Sequence, residues 1–126
     1  MARKVVGDPL DATILVVEDE AGVRGLIAKI LREHGATVHT CACGVDAHRA
    51  AADLAHIDLL LTDIVLPDIP GLQVADLVRE WHSGMRVVAM SGYLPDEVIG
   101  PEVLFIQKPF DATTLVERVR DILASN

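Results

Sequence analysis

The sequence has 126 residues, 51% of them hydrophobic and 24% charged, and its 19 acidic residues against 11 lysines and arginines give a net charge of −8. At roughly 100–200 residues per domain, this composition predicts one globular domain and excludes an intrinsically disordered chain. The acidic excess and the few aromatic residues argue against direct binding to nucleic acid, and the negative charge argues against direct binding to an anionic membrane.

The first residues show no targeting signal. Arg3 and Lys4 are followed by acidic and turn-forming residues before a signal-peptide core can form, and no apolar run approaches the ~18 residues of a transmembrane helix. We therefore expect a cytoplasmic protein. Residues 1–12 are polar and turn-rich and are predicted to be a leader or linker, and the folded domain is predicted to span residues 13–124.

Five short runs rich in β-branched residues alternate with segments of helical periodicity. The predicted strands are Thr13–Val17, Ala36–Cys41, Asp58–Thr62, Met85–Met90 and Val103–Ile106. Between and after them, apolar residues recur at the spacing of one helix face: Val23, Leu26, Ile27, Ile30 and Leu31; Ala47, Ala50, Ala51 and Leu54; Val74, Leu77, Val78 and Trp81; and Leu115, Val119, Ile122 and Leu123. Continuous apolar strands are typical of a sheet covered by helices on both faces. We therefore predict an α/β fold, a doubly wound three-layer sandwich around a parallel five-stranded sheet.

Two details follow from the same patterns. Trp81 ends the third helical face and is predicted to pack against the domain. Between the fourth and fifth strands only Leu94–Ile99 can be helical before Gly100 and Pro101 end the helix, because proline has no backbone N–H and restricts the residue before it. The fourth helix is therefore predicted to have one or two turns.

Polar residues follow four of the predicted strands. Glu18, Asp19 and Glu20 follow the first strand, Asp63 the third, and Ser91 and Gly92 the fourth, while Lys108 and Pro109 come just after the fifth. Because open parallel sheets bind ligands at the carboxyl ends of their strands, these side chains are expected to converge. Carboxylates a few ångströms apart repel each other unless a cation lies between them.

The convergent carboxylates predict a divalent metal site. Glu18, Asp19 and Asp63 carry three formal negative charges, which Lys108 and one Mg²⁺ would neutralise. Oxygen ligands completed by water and a substrate phosphate suit Mg²⁺. A carboxylate beside that cation can attack a phosphoryl group and form an aspartyl phosphate, while Lys108, Ser91 and nearby backbone N–H groups would bind the transferring oxygens.

Four sequence blocks resemble those of response-regulator receiver domains. They are ILVVEDE (Ile14–Glu20), LLTDIVLPDIPG (Leu60–Gly71), MSGY (Met90–Tyr93) and FIQKPF (Phe105–Phe110). The resemblance covers about residues 13–124, and the chain is similar both to receivers at the C-terminus of hybrid histidine kinases and to freestanding chemotaxis-type receivers. It implies a flavodoxin-like fold with the sheet order 2-1-3-4-5.

The resemblance also implies the reaction. Asp63 would accept a phosphoryl group from a phosphohistidine of a histidine kinase or histidine phosphotransfer protein, and a parent hybrid kinase is one such partner. Mg²⁺ would be bound by Glu18, Asp19, Asp63 and the backbone carbonyl of Val65. The domain would be a self-catalysed phosphoacceptor and no enzyme in its own right, so any kinase activity would belong to other sequence.

Further roles implied by the resemblance concern the fourth and fifth strands. Ser91, Gly92 and Lys108 would contact the phosphate, and the Lys108–Pro109 peptide bond would be cis. Ser91 and Phe105 would act as the switch that changes the surface around the fifth strand and the last helix.

Some residues depart from the family pattern or tune it. Glu18 stands where aspartate is commoner, and the segment from Ser91 to Lys108 is shorter than usual. By the resemblance, Val65 and Tyr93 occupy positions that tune the lifetime of the phosphorylated state in the family. Because Val65 has no polar group to orient an attacking water and Tyr93 would shield the site, we predict slow self-dephosphorylation.

Other functions fit these residues less well. A flavin site needs a phosphate-binding loop where Glu18-Asp19-Glu20 stands, and an aspartyl phosphatase needs a second carboxylate near Asp63. A soft-metal site is conceivable at His34, His39, Cys41, Cys43 and His48, but their spacing is not that of structural zinc. The alternative that keeps the fold is a phosphorylation-independent receiver-like interaction module.

Overall fold

The computed structural model describes residues 7–92 and 103–124, which contain five strands and four helices. The elements are β1 (Thr13–Val17), α1 (Ala21–Glu33), β2 (Thr37–Cys41), α2 (Gly44–Asp53), β3 (Leu59–Asp63), α3 (Gly71–Arg79), β4 (Arg86–Ser91), β5 (Val103–Gln107) and α4 (Ala112–Ala124). The strands form one parallel sheet in the order β2-β1-β3-β4-β5. The predicted α/β fold and sheet order are therefore confirmed, and each predicted strand begins and ends within one residue of the observed strand.

Successive residues of each strand point into two different layers of the core. On one face of the sheet, Ile14, Val16 and Leu61 pack with apolar residues of α1 and α4. On the other face, Leu15 and Leu60 pack with residues of α2 and α3. All five side chains are fully buried, and removing each from water contributes ~1.5–3 kcal/mol. The resulting three-layer sandwich holds the sheet, and therefore its edges, in a fixed position.

The parallel register brings the carboxyl ends of the central strands to one level. Val17 of β1 pairs with Thr62 of β3, and Asp63 pairs with Met90 of β4. The residues that follow β1 and β4 therefore leave the sheet beside Asp63. This edge is the place where the sequence predicts a site.

The chain contacts the domain before β1 begins. The amide of Leu10 donates to the carbonyl of His34 at 2.7 Å, and the carbonyl of Ala12 accepts from Thr37 at 2.9 Å. Leu10 packs against the core, and Arg120 of α4 donates to the carbonyl of Asp8 at 2.8 Å. Residues 8–12, which the sequence predicts to be part of a leader or linker, thus pack against α1, β2 and α4.

The predicted packing of Trp81 is wrong. Helix α3 ends at Arg79, two residues earlier, so the helical spacing does not extend to Trp81, which is 57% exposed. Leu26 on the predicted buried face of α1 is exposed as well, and it lies beside a cavity that Pro109 and Phe110 also line. The short helix predicted at Leu94–Ile99 lies outside the described residues.

Candidate functional site

Three side chains from three separated positions of the chain meet at the carboxyl edge of the sheet. The ammonium Nζ of Lys108 lies 2.5 Å from Oε1 of Glu18 and 2.8 Å from Oδ2 of Asp63, and it donates a hydrogen bond to each. Glu18 follows β1 directly, Asp63 is the last residue of β3, and Lys108 follows β5. The sequence-predicted convergence is present in the structure for these residues.

Because the cluster is largely buried, each of its charged groups depends on the oppositely charged group beside it for stabilisation. The Glu18 side chain is 1% exposed, and its burial raises the pKa of the carboxyl above the usual value, although hydrogen bonds from Lys108 and the Glu20 amide oppose the rise. Partial burial of Lys108 disfavours its charged form. Hydrogen bonds to Asp63 and Glu18 outweigh that burial and raise the pKa of Lys108. The ammonium is therefore charged at neutral pH and compensates two carboxylates.

The carboxylates also form a group that could hold a metal ion. One oxygen from each of Glu18, Asp19 and Asp63 lies within 4.8 Å of the others. Glu18 is buried, Asp63 is half-buried and Asp19 is exposed, so the group opens to solvent on one side. Oxygen-only ligands with one open side suit Mg²⁺, which keeps several waters and is completed by a substrate phosphate. The chemistry of these residues therefore fits the metal that the sequence predicts.

Gly71 explains how the backbone at Asp63 is supported. The first residue of α3 is Gly71, whose amide donates to the carbonyl of Ile64 at 2.7 Å. A Cβ at this position would lie 1.9 Å from the carbonyl oxygen of Asp63, a distance that no side chain tolerates. The absence of a side chain thus lets α3 start directly against the end of β3.

The loop between β3 and α3 is pinned by Asp68. One carboxylate oxygen of Asp68 accepts from the amides of Gly44 and Ile69, and the other accepts from the amide of Val45, each at 2.8 Å. Gly44 and Val45 begin α2, where the preceding residue Cys43 makes no side-chain cap. These hydrogen bonds, from Val45 and Gly44 above all, lower the pKa of Asp68. Asp68 therefore caps α2 from a different part of the chain and fixes the loop that follows Asp63.

Val65 lies in the same loop, beside the carboxyl edge of the sheet. Its amide approaches Oδ1 of Asp63 at 3.4 Å, and its side chain is 76% exposed. The residue that the sequence predicts to supply a metal-binding carbonyl is thus adjacent to Asp63, with an apolar side chain in solvent.

The predicted switch residues occupy the β4 and β5 side of the edge. Ser91 ends β4 and is half-buried, Gly92 is exposed, and Phe105 lies within β5, paired with Ala89 and half-buried. The amide of Lys108 donates to the carbonyl of Ser91 at 2.7 Å. The Lys108–Pro109 peptide bond is cis. Tyr93, to which the sequence analysis assigns a shielding role, lies outside the described residues.

The cysteines and histidines considered for a soft metal do not come together as such a site. In residues 7–92 and 103–124, Glu18, Asp19 and Asp63 make up the one group of three or more potential ligands close enough to share an ion. Cys41 is buried, and burial raises the pKa of its thiol to about 11. Its thiol is therefore protonated and unreactive at neutral pH.

Two residues that hold the loops next to the site were not found from the sequence. Arg24 donates to the carbonyl of Glu18, and Asp68 caps α2 as described above. No local pattern reveals the Asp68 contact, because its partner Gly44 is 24 positions away. The spacing of Arg24 after Glu18 predicts a contact only when the path of the loop between them is known.

Similarity to known proteins agrees with this geometry. Residues 14–120 match the response regulator receiver domain. The sensor kinase CckA of Brucella abortus is 31% identical over 118 residues, which are 89% of this chain and 12% of that kinase. The alkaline phosphatase synthesis transcriptional regulatory protein SphR of Synechococcus elongatus is 32% identical over 123 residues, which are 87% of this chain and 48% of that protein.

A solved structure shows the same likeness. The receiver domain of a hybrid histidine kinase named CckA superposes with a TM-score of 0.79 at 37% identity, covering 88% of this chain and 98% of that one. The chain therefore belongs to the response regulator receiver domains, a family of two-component signalling. It spans less than half the length of the two curated relatives named above.

The family assignment also delimits what these residues contain. Neither the matched residues nor the described elements include a kinase domain. Among the helices of the described ranges, none combines the length and the hydropathy needed to cross a bilayer.

Proposed function

We propose that this domain accepts a phosphoryl group on Asp63 from a phosphohistidine and so switches between two signalling states. The observation that carries the proposal is the position of Lys108, whose ammonium bridges Glu18 and Asp63 at 2.5 and 2.8 Å. An ammonium held against the candidate nucleophile is placed where negative charge develops on a transferring phosphoryl group.

In the proposed reaction, a carboxylate oxygen of Asp63 attacks the phosphorus of the phosphohistidine. An O–P bond forms, the N–P bond breaks, and the departing imidazole nitrogen keeps the electron pair of the broken bond. Lys108 neutralises charge on the phosphoryl oxygens, and Ser91 with the backbone N–H groups near Gly92 donates hydrogen bonds to them. The product is an aspartyl phosphate.

The proposed cofactor is Mg²⁺, held by Glu18, Asp19, Asp63 and the backbone carbonyl of Val65. Its chemistry, when bound, is to neutralise the carboxylates and the incoming phosphoryl oxygens. The three carboxylates and Lys108 leave two net negative charges at the edge, which matches a divalent cation. The exposed position of Asp19 leaves the site accessible.

The proposed partner is a histidine kinase or a histidine phosphotransfer protein, including the kinase part of a parent hybrid kinase. The acidic surface supports a role in the cytoplasm without direct contact to nucleic acid or membrane. The output would be a change at Ser91 and Phe105 that alters the face around β5 and α4. The domain would supply its own catalytic groups for phosphorylation and act on no further substrate.

The test is phosphorylation by a small donor. The protein is incubated with acetyl phosphate, with and without Mg²⁺, and its intact mass is measured. Asp63→Asn is the matched variant, because it keeps the shape of the side chain and removes the nucleophile. We expect one phosphoryl group on the wild type, dependent on Mg²⁺, and none on Asp63→Asn. An unmodified wild type, or equal modification of Asp63→Asn, would favour the phosphorylation-independent interaction module.

A further inference from the structure

Arg24 at the start of α1 contacts the loop that carries two of the candidate metal ligands. Its guanidinium Nη1 donates to the backbone carbonyl of Glu18 at 2.8 Å and lies 3.4 Å from that of Asp19. The side chain is half-buried and folds back over the first turn of its own helix. Arg24 therefore contacts the backbone of the loop that joins β1 to α1.

The helix dipole opposes a cation at this position. The N-terminus of a helix carries partial positive charge and disfavours nearby cations. The first turn of α1 contains no acidic residue, and its N-cap, Glu20, makes no side-chain cap. What compensates Arg24 is the contact with carbonyl oxygens of the loop, so its placement is coupled to the conformation of Glu18 and Asp19.

The peptide backbone at Glu18 is held from two sides. The amide of Glu18 donates to the carbonyl of Cys41 in β2 at 3.0 Å, and its carbonyl accepts from Arg24. The first contact is an extension of the sheet, so any chain that pairs β1 with β2 makes it. The second depends on one side chain, which acts on the loop together with the hydrogen bond from the Glu20 amide to Oε2 of Glu18.

We propose that Arg24 is a positioning residue for Mg²⁺ binding, an inference that rests on the proposed function. By fixing the two carbonyls, it holds the Glu18 and Asp19 carboxylates on the side of Asp63, where their oxygens lie within 4.8 Å of one another. Its positive charge also lowers the cost of bringing these carboxylates together before a metal is present. Both contacts are made by the same nitrogen, Nη1, so a lysine, whose ammonium carries the same charge on a shorter side chain, is expected to replace them in part.

The experiment measures Mg²⁺ binding directly, without a phosphodonor. The full chain is titrated with Mg²⁺ by calorimetry, and urea unfolding of the metal-free protein is followed in parallel. Arg24→Ala is expected to raise the Mg²⁺ dissociation constant about tenfold, as the loss of residues that orient metal ligands does. The Mg²⁺ dissociation constant of Arg24→Lys is expected to lie between those of Arg24→Ala and the wild type. Arg24→Lys replaces Arg24→Ala in the test if Arg24→Ala does not fold.

Arg32→Ala is the matched control. Arg32 lies on the same helix and donates to the carbonyl of Val38 at 2.8 Å, far along α1 from the carboxylates. Its loss costs a comparable hydrogen bond and is expected to leave Mg²⁺ binding unchanged. Equal Mg²⁺ affinity in Arg24→Ala and wild type, or an equal loss in Arg32→Ala, would overturn the inference.

The two proposals fail in different ways. If the wild type binds no Mg²⁺ or leaves Asp63 unphosphorylated, the proposed function fails and the inference falls with it. If the wild type binds Mg²⁺ and is phosphorylated while Arg24→Ala binds Mg²⁺ equally well, only the role of Arg24 is wrong.

Discussion

The two halves of the carboxyl edge differ in how their polar groups are held. In the acidic half, which comprises Glu18, Asp19 and Asp63, two carboxylates are ion-paired and Glu18 is 1% exposed. In the switch half, which comprises Ser91, Gly92 and Phe105, the side chains of Ser91 and Phe105 are half-buried and none is ion-paired with the acidic cluster in the described residues. We infer that the acidic half is organised for binding before any ligand arrives, because its carboxylates already lie close together around the Lys108 ammonium.

Lys108 joins the two halves. Its backbone amide donates to Ser91 in the switch half at 2.7 Å, while its ammonium lies between Glu18 and Asp63 in the acidic half. A phosphoryl group bound to Asp63 would contact the Lys108 ammonium, and the backbone of the same residue contacts the switch half. From this comparison we predict that substitutions in the acidic half lower the rate of phosphorylation more than substitutions in the switch half.

The largest effect is expected from Lys108→Met, which removes the cation and keeps an unbranched side chain of similar length. Without the ammonium, charge on the transferring phosphoryl oxygens is uncompensated, and we expect the rate of phosphorylation by acetyl phosphate to fall about 100-fold or more. Intact mass against time gives the rate, with Lys29→Met on the exposed face of α1 as the control. A near-wild-type rate would show that the acidic half does not depend on its ion pair.

Gly71→Ala tests whether the backbone of the acidic half is as tightly packed as the structure indicates. The added methyl would lie 1.9 Å from the Asp63 carbonyl, so α3 must shift, at a cost of about 3 kcal/mol in the free energy of unfolding. Urea denaturation measures this cost.

The same substitution at Gly25 is expected to change the free energy of unfolding in the opposite direction. Gly25 lies inside α1 with no neighbour within 4 Å of the added carbon, so alanine should stabilise the protein by about 0.5–1 kcal/mol. Equal stabilities of the two variants would contradict the packing of α3 against Asp63.

Val65→Asn tests the predicted lifetime of the phosphorylated state. Val65 is 76% exposed beside Asp63, so asparagine fits without steric cost and can orient an attacking water. One such hydrogen bond is worth ~1 kcal/mol, and we expect dephosphorylation to become about fivefold faster. Decay of the phosphorylated protein is followed by mass, with Val45→Asn on α2 as the control. Unchanged or slower decay in Val65→Asn would refute the prediction.

The smallest effect is expected from Asp68→Asn, which weakens the cap that fixes the loop after the acidic half. The folded protein lowers the pKa of Asp68 below its ordinary value of 3.8, so the carboxylate stabilises the fold above that pH and this contribution is lost as pH falls through the lowered pKa. We expect the variant to melt a few degrees below the wild type at pH 7. The difference in melting temperature should shrink in acid, and a difference independent of pH would exclude the carboxylate as its source.

Much of the fold is predictable because its determinants are local or periodic. The continuous apolar run at Leu59–Leu61 and the helical spacing in α1 each specify an element, and the rule that parallel strands bind ligands at their carboxyl ends brings Glu18 and Asp63 together. Trp81 was wrongly predicted because spacing alone does not show where a helix ends. The contacts of Arg24 and Asp68 depend on how loops turn in three dimensions, which no periodic pattern contains.

The central claim is that a phosphoryl group on Asp63 changes the environment of the switch half. The most direct test is nuclear magnetic resonance of the backbone amides with beryllofluoride and Mg²⁺. We predict that the signals of Asp63, Ser91 and Phe105 shift together in the wild type and that none of them shifts beyond the effect of Mg²⁺ in Asp63→Asn. Wild-type spectra identical with and without beryllofluoride, or shifts confined to the acidic half, would contradict the account.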